Sequence, residues 1–212
     1  MAYRPGSVCQ ITHSPLVMKQ SQTALTPEVL EFATVAVPFC SLLHDAAQMA
    51  PAELTDKLLR ILPLLYIKTL PLLHSGGDDA ALFDKEEEYF LPEYVSETEY
   101  TLVERGLEQQ FGRGDLFLEA LSPEMQYSDR PLTARLSETL TDIYQPIGNF
   151  VGLLRDEVFD LIPLALYELS EQFGTYWGDR ILAALRALHH LKFTESLEPD
   201  EETPLEPTTE DF

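Results

Sequence analysis

Between residues 136 and 155, Leu136, Leu140, Ile143, Ile147, Val151 and Leu154 recur at intervals of three and four. At 100° per residue that spacing gathers them on one side of a helix, so the segment must lay this side against a core. Glu138, Asp142, Gln145 and Asn149 repeat with similar spacing on the opposite side, one above another. Two carboxylates and two side-chain amides therefore share a face. An amphipathic surface helix turns such a face to solvent, which is the simplest expectation. If a second element covers it, Glu138, Asp142 and Gln145 become a buried polar network that needs cationic partners, because unpaired buried carboxylates are costly. Glu138 in the first turn, after Ser137, suits the positive end of the helix dipole, and Pro146 removes one internal hydrogen bond, so a bend near Asp142 is expected.

Other stretches repeat the helical period. Thr26, Pro27 and Glu28 form a helix start signal, and the helix they open should run to about Met49. A second helix begins near Pro51, with Leu58, Leu62, Leu65 and Thr69 on one face. Lys68 is its anomaly: its stem should cover apolar surface while the ammonium reaches water, or it serves as the cation for Glu138 or Asp142. Ser96 with Glu99 makes a capping box, and Tyr100, Val103, Leu107 and Phe111 carry a third helix to Gly112. A short helix is expected over 115–121 and a turn over 126–131. The Arg113-Gly114-Asp115 tripeptide between two helices carries no functional weight. From 157 to 191 the apolar spacing continues through Gly174 and Gly178, predicting one long helix with Trp177 in the core.

The connection from His74 to Tyr94 is acidic and glycine-broken, and it lacks the alternating oxygen ligands of an EF-hand loop, so it reads as solvated. Residues 1–24 read as a flexible arm, 25–193 as one helical domain and 194–212 as a disordered tail. That last stretch has 8 acidic residues, 3 prolines and no Lys or Arg. The expected class is therefore all-α, a single-domain bundle of about six helices ending in a long one.

Charge narrows the partners. With 36 acidic against 14 basic residues the formal net charge is −22. Direct binding to a nucleic-acid backbone or an anionic membrane needs clustered Lys and Arg, so neither is expected; a basic protein partner, a cation-rich environment and solubility alone are each compatible with the charge. Salt adaptation would also account for the acidity. The most apolar run, 58–73, is interrupted by Arg60, Pro63, Lys68 and Pro71 and is too short to span a bilayer. Cys9 and Cys40 suggest no disulfide framework, and a cytoplasmic location is expected.

Three segments, LPLLYIK at 62–68, SETLTDIYQ at 137–145 and YWGDRILAALRALHHL at 176–191, resemble an uncharacterised bacterial family, domain of unknown function 5063, typical of Bacteroidetes-type bacteria. The resemblance covers roughly residues 25–192 and implies an all-helical domain. It singles out Tyr66, Lys68, Ser137, Glu138, Asp142, Tyr144, Gln145, Trp177, Gly178, Arg186 and His189, and implies no activity. In the family, charged residues tend to follow the glutamine, whereas Pro146, Ile147 and Gly148 follow it here, so no site residue is carried over beyond Gln145.

No phosphate-binding Gly loop, nucleophile elbow or His/Cys metal pair occurs, so no catalytic residue, metal or cofactor is assigned. The expected role is a non-catalytic interaction or regulatory module. A small-molecule or metal-binding bundle, or an enzyme, would use the candidate polar cluster of Lys68, Glu138, Asp142, Tyr144, Gln145, Arg186 and His189. Di-metal bundles repeat a Glu-x-x-His pair, which this chain lacks. A third reading is an acidic mimic of nucleic acid. Lys68, Glu138, Asp142 and Arg186 are expected to converge.

Overall fold

The computed structural model describes residues 25–75, 90–119, 127, 129–130 and 132–194. The arm at 1–24, most of the acidic connection, half of the 126–131 turn, and the tail past Thr194 lie outside the described residues. Within them the architecture is an all-α bundle with a long C-terminal helix.

Helix α1 (Pro27–His44) starts where the capping signal places it: Thr26 accepts a hydrogen bond from the Val29 amide at 3.4 Å, and Pro27 occupies the first turn. It stops short of the expected Met49, giving way to a 3₁₀ turn at Ala46–Gln48. Helix α2 (Pro51–Ser75) buries Leu54, Leu58, Leu62, Leu65, Thr69 and Leu72. Helix α3 (Glu97–Phe111) is capped by Ser96, which accepts from the Glu99 amide at 3.2 Å.

The segment after α3 departs from expectation. Instead of a helix over 115–121, a 3₁₀ turn (Gly112–Asp115) leads into strand β1 (Leu116–Glu119), which pairs antiparallel with β2 (Leu132–Arg135). The Leu-Phe-Leu run is short and apolar, so its state is set by a partner strand 13 or more residues away rather than by local period.

Helix α4 (Leu136–Arg155) is the centre of the bundle, packing against α1, α3, α5 and α6. Leu136, Leu140, Ile143 and Ile147 are fully buried as expected, while Val151 and Leu154 are half-buried. Burial extends well beyond that stripe, to Ser137, Thr139, Thr141, Tyr144, Gly148, Phe150 and Gly152. Its buried hydroxyls are satisfied locally, Thr141 donating to the Ser137 carbonyl at 2.8 Å and Thr139 to that of Arg135 at 2.7 Å.

The C-terminal element begins at Ile162, after a 3₁₀ turn at Phe159–Leu161, rather than at 157. Helix α5 (Ile162–Gln172) runs through a π turn (Phe173–Trp177) into α6 (Gly178–Phe193). One continuous helical rod thus passes both glycines. At Gly178 a Cβ would stand 2.4 Å from the Phe173 carbonyl oxygen, so the π turn itself demands glycine there. Among the described residues no helix is long and apolar enough to cross a membrane.

Candidate functional site

Four polar clusters converge on α4. At its N-terminus no side chain of its own caps the helix; Asp115, 2% exposed, does so from the preceding turn. One carboxylate oxygen accepts from the Ser137 amide at 2.7 Å, and the other accepts from the Ser137 hydroxyl at 2.9 Å and from Arg135 Nε at 3.0 Å. Arg135 also pairs with Glu108 on α3.

One turn further, Asp142 is covered, its side chain 14% exposed. It accepts hydrogen bonds from the Tyr100 hydroxyl at 2.8 Å and from Arg180 Nε at 2.7 Å, tying α3 and α6 to the central helix. The Arg180 guanidinium lies 3.6 Å from the centroid of the Tyr176 ring, a cation–π contact that orients it. Burial and then the hydrogen bond to Asp142 hold the Tyr100 hydroxyl protonated well above the ordinary tyrosine range, and burial with the nearby Asp142 charge pushes Tyr176 up to about 12. The Tyr100 hydroxyl thus acts as a fixed donor and not as an acid.

Tyr144, on the adjoining face, donates to Glu99 Oε1 at 2.9 Å and meets His44 Nε2 at 2.8 Å. Burial, followed by the Glu99 hydrogen bond, raises its hydroxyl far above the usual range. Near the end of α4, Asn149 Oδ1 accepts from the backbone amides of both Tyr94 and Val95 at 2.8 Å. Glycines flank it because the same loop presses on the helix: a Cβ on Gly148 would lie 2.6 Å from Val95 Cγ2, and one on Gly152 only 2.1 Å from the Tyr94 ring.

Pinning that loop creates a cleft of about 290 Å³ between α4 and α5, roofed by Leu91 and Glu93. Its floor is apolar, with Pro146, Phe150, Ala165 and Leu169; Gln145, Glu168, Gln172 and Tyr176 supply polar walls. Gln145 and Asn149 stand one helical turn apart on α4, as do Glu168 and Gln172 on α5, so two polar rows border the cleft. Glu168 is exposed, like the other polar walls, and partial desolvation at the cleft edge raises its carboxyl above the ordinary range.

The expected convergence of Lys68, Glu138, Asp142 and Arg186 does not occur. Lys68 pairs with Glu31 on α1 at 2.7 Å, because α2 packs its Lys68 edge against that helix. Arg186 reaches Glu119 on β1 with two hydrogen bonds of 2.8 and 2.9 Å. Six residues on from Arg180, it points about 240° around the helix from the residue that takes Asp142. Glu138 is exposed and touches the cluster only through its charge on Tyr176. His189 lies against Phe193, ring centroids 4.7 Å apart, and Gln145 lines the cleft. Arg186 is 44% exposed but Glu119 only 12%, so Arg186→Ala should lower stability by about 1–2 kcal/mol in a denaturant melt.

Sequence reasoning overlooked Tyr100, Arg180, Glu168, Gln172 and Tyr176 as members of a site. Arg180 carried the only usable signal, a cation on a helix rich in apolar positions. Among the described residues no group of three His, Cys, Asp or Glu side chains is placed to hold a metal ion.

No curated protein matches the chain. Its fold is similar to the crystal structure of protein BF1032 from Bacteroides fragilis, with 27% sequence identity, a TM-score of 0.63, and coverage of 82% of this chain and 97% of that one. The profile of the bacterial family described as a domain of unknown function, DUF5063, matches residues 23–194, the whole helical bundle including α4 and the cleft, and the chain belongs to that family.

Proposed function

We propose that the domain is a non-catalytic, cytoplasmic protein-interaction module that receives a basic segment of a partner in the cleft between α4 and α5. The carrying observation is a contrast in how polar groups are used. Asp115, Asp142, Tyr144 and the Asn149 side-chain oxygen are each engaged by neighbours within the bundle. Around the cleft, Glu93, Gln145, Glu168 and Gln172 have no hydrogen-bond or ion-pair partner among the described residues. Two carboxylates without cations above an apolar floor favour a segment that supplies a cation and a little apolar surface, and the net charge of −22 attracts such a partner from a distance. A volume of about 290 Å³ lies at the small end for sites that enclose metabolites, but it accommodates one long side chain of a docked segment.

The test is affinity capture from a native lysate at several salt concentrations, using the wild-type chain beside a Glu93→Lys, Glu168→Lys variant. A stoichiometric partner should be held at low salt by the wild type, released as salt rises, and lost on charge reversal. Retention of the same partner by the variant, or recovery of none at any salt, would count decisively against this reading.

A further inference from the structure

Resting on that reading of the cleft, we infer that the cation it selects is the guanidinium of an arginine side chain. The acceptors have the layout this group requires. Gln145 on α4 and Glu168 and Gln172 on α5 border one space from two sides, each bringing a planar amide or carboxylate oxygen that is not engaged elsewhere among the described residues. A guanidinium carries five N–H donors in a fixed plane and can fork between two such rows, whereas an ammonium is a compact point charge.

The floor discriminates further. Pro146, Phe150, Ala165 and Leu169 offer no acceptor side chains, so an entering cation exchanges part of its hydration for apolar contact. Guanidinium is the more weakly hydrated of the two cations and loses less in that exchange. At one end stands Tyr176, whose ring already carries the Arg180 guanidinium at 3.6 Å. Arg180 is itself held by Asp142 through Nε at 2.7 Å, so it cannot swing into the cleft without giving up that pair, and the space is left for a cation from outside. The π turn at Phe173–Trp177 places Tyr176 at this end, which links the unusual backbone to the recognition of the partner.

Three blocked pentapeptides, with a central arginine, lysine or citrulline between alanines, would be titrated into the full-length isotope-labelled chain while the side-chain amide signals of Gln145 and Gln172 are followed. The arginine peptide should shift both signals and bind about tenfold more tightly than the lysine peptide, the margin expected of one additional charge-assisted hydrogen bond. Glu168→Gln should weaken the arginine peptide by about the same factor without lowering the thermal unfolding midpoint. Equal or tighter binding of the lysine peptide would overturn arginine selection while leaving the basic-segment cleft standing. Citrulline binding as tightly as arginine would show that charge is not recognised and would overturn the inference. Absence of shifts at both amides with all three peptides would remove the cleft as a binding site, and this inference with it.

Discussion

Trp177→Ala should lower the unfolding free energy by about 3–5 kcal/mol, as other truncations of large buried side chains do. Trp177 has 0% relative exposure, it packs edge-on against Phe173 with ring centroids 4.7 Å apart, and its indole N–H donates to the Leu169 carbonyl at 3.1 Å. That carbonyl also receives the Phe173 amide, so the indole supports the backbone where the helix widens into the π turn. Alanine leaves a cavity where the α5 rod passes into α6. Trp177→Phe keeps most of the volume and loses the hydrogen bond, and should cost roughly 1–2 kcal/mol. Urea melts followed by circular dichroism measure both. As the only tryptophan, Trp177 also reports on its own burial: native emission should be blue-shifted and move to the red on unfolding, and a water-like native spectrum would refute this placement.

The π turn illustrates what could be read from the chain beforehand. Apolar spacing on both sides of Gly174 and Gly178 was enough to predict one long rod, because a single widened turn shifts the phase without ending the stripe. Helix starts at Thr26 and Ser96 were equally legible, since a cap is a local bond between residues three apart. The hairpin was not, because β1 is four residues long and its partner stands on the far side of a connection. For the same reason the partners of Asp142 were invisible. Periodicity showed that Asp142 lies opposite the main apolar stripe; that α3 and α6 would arrive there with Tyr100 and Arg180 depends on how helices pack, which no single segment encodes. The polar stripe of α4 consequently splits: Glu138 is wet, Asp142 is tied into the bundle, Gln145 faces the cleft, and Asn149 borders the cleft while its oxygen holds the loop.

Asp115→Ala should lower stability by about 2–4 kcal/mol, because it uncaps α4 and leaves a buried hydroxyl without its acceptor in the same place. The chain reads at this point as the start of a short helix, yet Asp115 ends a 3₁₀ turn, is 2% exposed, and receives three hydrogen bonds on its two oxygens. One of these satisfies the Ser137 amide in the first turn of α4, where four N–H groups have no partner within the helix. The carboxylate also sits at the positive end of the α4 dipole, which adds to its stabilisation. Removing it strands the fully buried Ser137 hydroxyl and leaves Arg135 with Glu108 alone. Asp115→Asn retains one carbonyl acceptor and no charge, so it should fall between wild type and alanine. A double-mutant cycle with Ser137→Ala isolates the hydroxyl bond, since alanine keeps the capped amide: the double mutant should be less destabilised than the sum of the two single changes by about 1 kcal/mol. A cost below about 1 kcal/mol for Asp115→Ala would mean that α4 holds its first turn by packing alone, and strict additivity with Ser137→Ala would mean that the hydroxyl bond adds nothing to the cap.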